Sequence, residues 1–140
     1  MPITWTLLRS VIYARILIGI QVFRLVGVVF VFGLHNGTLP ATFVIPASSG
    51  DALVAVSAPI VAWELGGGGV RMWALALIWN ALGLADLLNA VTLGFLTGST
   101  ATILADYSFV LFGATAAVAL HIAATALLLR KVTRDYFVAR

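Results

Sequence analysis

Residues 14–35 read ARILIGIQVFRLVGVVFVFGLH. One crossing of the roughly 30 Å hydrocarbon layer takes about 20 mainly apolar residues, and this stretch supplies them. Three further stretches repeat the pattern, at about 48–65 (SSGDALVAVSAPIVAWEL), about 72–95 and about 108–129. The second is the weakest, because Asp51 stands near its start and Pro59 in its middle, where a kink is expected. Four such spans leave no room for a soluble domain, so residues 1–140 read as a single bundle. The expected fold class is an all-α integral membrane protein with four transmembrane helices.

Composition excludes the main alternatives. The chain is 62% hydrophobic and 9% charged, with a mean hydropathy of +1.12. Soluble domains are about 45–50% apolar and about 25% charged, so this chain cannot cover a water-facing surface. Eight basic against five acidic residues are too few for a phosphate-tracking patch, and no nucleic-acid partner is expected. The absence of cysteine removes disulfides, thiolate metal sites and thiol chemistry. The bilayer itself is the first partner.

Basic residues set an expected orientation. Arg9 and Arg15 stand at the start of the first span, Arg71 follows the second, and Arg130, Lys131, Arg134 and Arg140 follow the fourth. Loops 36–47 and 96–107 hold no Lys or Arg. By the positive-inside rule both termini are cytoplasmic and the chain is a multi-pass protein of the cell (inner) membrane. Trp5, Trp63 and Trp73 fall near the same interface, as an aromatic belt would. Arg9, Arg15 and Arg24 are spread through the first apolar stretch, so no cleaved signal peptide is expected. Residues 3–13 place Trp5, Leu8 and Ile12 on one stripe, consistent with a short interfacial N-terminal helix. Loop 36–47 has two prolines and a glycine and reads as turns, with Phe43, Val44 and Ile45 dipping into the headgroups. Gly66–Gly69 reads as a hinge.

Polar residues within the spans are few: Gln21, Arg24, Asn80, Asp86, Asn89 and His121. Such groups are costly in hydrocarbon and usually face the protein interior. At about 1.5 Å per residue, Arg24, Asn80 and His121 all lie about 14 Å from the cytoplasmic edge. Gly113, Ala117, His121 and Ala124 share a face of small residues, which lets another helix approach closely. Gln21, Arg24 and His35 fall within about 60° of one another at α-helical pitch. Asp86 lies roughly 8 Å further out than Arg24 on the same scale. A guanidinium spans most of that distance, so an Arg24–Asp86 pair is expected.

No cofactor is specified. The two histidines, His35 and His121, differ in depth by about 16 Å and cannot bracket one haem within a subunit. His35, Asp51 and Asp106 form a set of outer-face candidates without metal-ligand spacing, and Asp51 after Ser-Ser-Gly reads as a helix N-terminal residue. No catalytic residue is assigned, since GxSxG, HExxH and phosphate-loop motifs are missing.

Three functional readings follow, in order. The first is a non-catalytic helical subunit or oligomeric scaffold of a membrane assembly, joined to copies of itself or to other membrane subunits. The second is a small oligomeric transporter or channel using an Arg24/Asp86/His121 polar layer. The third is a membrane-embedded enzyme with an Asp86/His121 acid–base pair.

Overall fold

A computed structural model describes residues 5–138, and these contain helices and no strand. Four helices are long and apolar enough to cross a membrane: Arg9–His35, Ala41–Leu65, Val70–Leu96 and Ser108–Leu129. The Trp5 and Leu8 side chains and residues 3 and 4 of the expected interfacial stripe lie outside the described residues, as does Arg140.

The first span is a single rod of three parts: α1 (Trp5–Gly19), a 3-10 stretch (Ile20–Val29) and α2 (Phe30–His35). Both junction residues keep right-handed helical angles, φ −61° and ψ −36° at Gly19 and φ −60° and ψ −21° at Phe30. The separate short helix expected at the N-terminus is replaced by direct continuation into the span. The reason is local: no proline or glycine interrupts residues 5–18, and Ser10, Val11 and Ala14 are buried against the bundle.

Ten residues of 3-10 winding is long, since runs above three or four are uncommon. Its effect is visible in burial. Ile18, Gln21, Arg24, Gly27, Phe30 and Gly33 are buried at every third position, with no other buried residue between them. Three residues per turn stack these side chains on one line, whereas an α-helix would rotate each about 60° from the last. The same winding corrects the face assigned to His35, which turns outward and is exposed.

The second span, α3 (Ala41–Leu65), begins well before the expected residue 48 and absorbs half of the predicted turn. Pro40 sits just ahead of it in extended conformation (φ −76°, ψ 147°), and its carbonyl accepts from the Phe43 and Val44 amides. Proline is well suited to a helix start, so the residue read as a turn signal opens the helix instead. Pro46 and Pro59 are carried inside it. Phe43 and Val44 do not dip outward but are 2% and 1% exposed, while Ile45 does face out. Phe30 packs edge-on to Phe43 at 5.1 Å and to Tyr107 at 5.5 Å.

The third span is α4 (Val70–Leu96), followed by short α5 (Thr100–Asp106) where a loop was expected. The fourth is α6 (Ser108–Leu129), and α7 (Lys131–Val138) folds back beneath the bundle. Gly68 and Gly69 take positive φ (79° and 91°), which lets the chain reverse between α3 and α4. The outward faces are apolar, with Leu53, Leu82, Leu88, Trp63 and Phe112 among the most exposed side chains.

Two apolar clusters hold the bundle. One gathers Val11, Ile18, Leu65, Ala76, Leu128 and Phe137, and the other Phe30, Leu39, Phe43, Val44, Ile103 and Val110. Every buried ionic side chain lies on the helix segments between them.

Candidate functional site

Arg24 is the centre, 3% exposed, and each of its guanidinium nitrogens is engaged. Nε donates to Asp51 Oδ1 at 2.7 Å, and Nη2 lies 2.7 Å from the same oxygen. Nη2 also donates to Asp86 Oδ2. Nη1 donates to the Gly83 carbonyl at 3.3 Å and approaches His121 Nε2 at 3.4 Å. All four spans therefore meet at one side chain.

Arg24 and Asp86 meet as the depth arithmetic expects. The 3-10 stretch helps, because a rise of about 2.0 Å per residue carries Arg24 outward toward Asp86. Asp51 is the correction. Read as a terminal residue at the outer face, it stands ten residues into α3, about 15 Å from that helix's start. It joins Arg24, not His35 or Asp106, which are both exposed. Among the described residues no three His, Asp or Glu side chains gather as a metal site. Asn89 is also corrected: although only three residues from Asp86, it is exposed and makes no contact with Arg24 among the described hydrogen bonds.

His121 and Asn80 form the adjoining pair. Asn80 Nδ2 donates to the Ala76 carbonyl at 2.8 Å, which leaves its Oδ1 to face His121 Nδ1 at 3.0 Å. An amide oxygen only accepts, so Nδ1 carries the proton and the Nε2 lone pair faces Arg24. His121 is thereby a neutral acceptor beside a cation, and it does not touch Asp86. The direct acid–base pair required by the enzyme reading is absent among the described contacts. Trp79 packs on the imidazole at 5.3 Å and donates its Nε1–H to Ser57 Oγ at 2.8 Å. Gln21, one 3-10 turn from Arg24, donates to the Ala117 carbonyl at 3.1 Å, and its buried Oε1 has no partner among the described residues.

Three glycines make room for the charged groups. A Cβ on Gly27 would meet the Asp51 carboxylate, one on Gly50 the Asp86 carboxylate, and one on Gly83 the His121 ring. Each of the first three spans thus opens a gap that the next span fills with a polar side chain. Sequence reasoning missed this role, although the signal is present: Gly27 follows Arg24 by three residues, Gly50 adjoins Asp51, and Gly83 precedes Asp86 by three. Ser48 adds a tie, its Oγ donating to the Gly27 carbonyl at 3.1 Å.

The chemistry follows from the charge count. One guanidinium faces two carboxylates, so with both ionised the centre carries one excess negative charge. Asp51 Oδ2 and Asp86 Oδ1 make no hydrogen bond among the described residues. A proton or a cation is what such a centre can take up.

Fold and site together define a compact four-helix protein of the kind that can span a membrane, built around a buried arginine–dicarboxylate centre. The chain belongs to the family described as "Domain of unknown function (DUF8737)", whose model matches residues 3–129. The match covers all four spans and every residue of the centre. No curated protein and no solved structure matches the chain.

Proposed function

We propose that this protein is a small oligomeric cation transporter of the cell membrane, with both termini in the cytoplasm and Arg24, Asp51 and Asp86 as its exchange site. The observation that carries the reading is the pairing of two largely enclosed carboxylates with one buried guanidinium. A structural fastener needs one acid per arginine. The second acid adds a charge that hydrocarbon penalises by several kcal/mol on some scales, so its retention points to exchange of a balancing cation or proton. The basic residues at the α7 end and the Lys- and Arg-free opposite loops support the orientation. Four short helices do not enclose a full pathway, which favours an oligomer.

The test is reconstitution into liposomes holding a pH-sensitive dye, with an imposed cation gradient. Wild-type protein is expected to move protons against the cation, and Asp51→Asn and Asp86→Asn to abolish that movement while remaining folded. Absence of flux from the wild type, with the variants altering only abundance or assembly, returns the protein to the scaffold reading.

A further inference from the structure

A cavity of about 360 Å³ adjoins the ionic centre where α4, α5 and α6 pack together. Its walls are apolar and partly aromatic, including Phe30, Phe43, Leu87, Phe95 and Ile103, and Asp51 is the one charged residue in its lining. A second space of about 20 Å³ shares Asp51, Leu87, Val110 and Ala114 with it and reaches Arg24. That is room for about one water molecule. The apolar cavity is thus continuous in its lining with the centre that, with both acids ionised, carries one excess negative charge.

We propose that this cavity binds a lipophilic monovalent cation, such as a quaternary ammonium or phosphonium with bulky apolar substituents, with Asp51 as its counter-ion. The inference rests on the transport reading and names the class of solute. Each property of the site selects against a different alternative. An apolar anion meets two carboxylates and a guanidinium already occupied by them. A compact inorganic cation leaves the apolar walls unfilled and forfeits its hydration. A neutral hydrophobe fills the walls but leaves the second carboxylate unbalanced. A cation with an apolar shell satisfies both, and aromatic rings are among the lining residues available to attract its charge.

The experiment is equilibrium dialysis of radiolabelled tetraphenylphosphonium against the full chain in lipid nanodiscs, with empty nanodiscs as the baseline. Tetraphenylborate, of nearly the same size and shape but opposite charge, is the comparison. Saturable phosphonium binding at one per chain is expected, at least tenfold weaker in Asp51→Asn and in Ala90→Phe, which fills the cavity and leaves every charge in place. Equal binding of the borate, or unchanged phosphonium binding in either variant, overturns the proposal and makes the cavity a groove for lipid chains. No saturable phosphonium binding overturns it too. Should Asp51→Asn fail to fold, Ala90→Phe and the borate decide alone. Phosphonium binding without flux leaves this inference standing and removes the transport reading, whereas proton–cation exchange without phosphonium binding does the reverse.

Discussion

The carboxylate of Asp51 lies where the side chain of Gly27 would have to be: a Cβ built on Gly27 comes within 2.7 Å of Asp51 Cγ. Asp51 in turn is held by Arg24 on the same span as Gly27, one 3-10 turn away. Gly27→Ala therefore pushes the carboxylate off the guanidinium. Removing one partner of a buried ion pair costs about 3–5 kcal/mol, which is the upper bound for the loss expected when the partner is only displaced. Gly94→Ala is the control, because its nearest neighbours stand at 3.7–3.8 Å, an ordinary contact. Equilibrium unfolding in mixed micelles should separate the two variants, and equal stability would mean the gap at Gly27 is not needed.

Asn80 and His121 should behave as one unit. Asn80→Leu removes the acceptor for the His121 Nδ1 proton and leaves a buried donor unmatched. The cost of such a donor is about 1–3 kcal/mol. His121→Leu in the same chain removes the donor as well, so the double variant should lose less than the sum of the singles. A double-mutant cycle on unfolding free energy measures the coupling, and strict additivity would deny the bond.

How much of this was legible in the sequence depends on which physical signal each residue gave. Length and apolarity announced four helices because a bilayer-length run of Leu, Val, Ile and Ala has few other uses. Arg24 and Asp86 were visible as a pair because their depths could be counted from basic residues. Asp51 was not, since its depth depends on where α3 starts, and Pro40, a turn signal by sequence, stands at the start of the helix. The outward turn of His35 was hidden for a related reason. A 3-10 stretch changes both rise and phase, and nothing in IQVFRLVGVV announces that winding at the level of propensity. The cavity was invisible as well, because it depends on how α4, α5 and α6 pack around residues far apart in the chain.

Helix α7 lies beyond the four expected spans, in a stretch whose basic residues were used only to set the orientation. Its apolar side packs inward: Phe137 is fully buried and belongs to the cluster of Val11, Ala14 and Leu128. Phe137→Ala should cost about 3–5 kcal/mol, as deletion of a buried ring generally does. Val138→Ala, next in the chain but 63% exposed, should change stability by less than about 0.5 kcal/mol. Thermal unfolding of the two variants side by side checks the contrast, and equal midpoints would place Phe137 outside the core.

Replacing members of the ionic centre singly and together separates fastening from function. Arg24→Met leaves Asp51 and Asp86 facing one another without a counter-charge, in a site where both are largely enclosed. A loss of about 3–5 kcal/mol is expected from breaking the pair, and protonation of one acid would limit it. Arg24→Met combined with Asp51→Asn and Asp86→Asn removes the charges altogether. Replacing a buried ionic cluster by neutral groups of similar volume is often neutral for stability or stabilising, so the triple variant should regain most of what the single one loses. Its activity should not return, because the exchange site has been removed with its charges. Stability is read by unfolding in micelles and activity by proton movement in liposomes, on the same preparations. A triple variant that is stable and still active would show that the centre is a fastener; one that is stable and silent separates the two roles in favour of exchange.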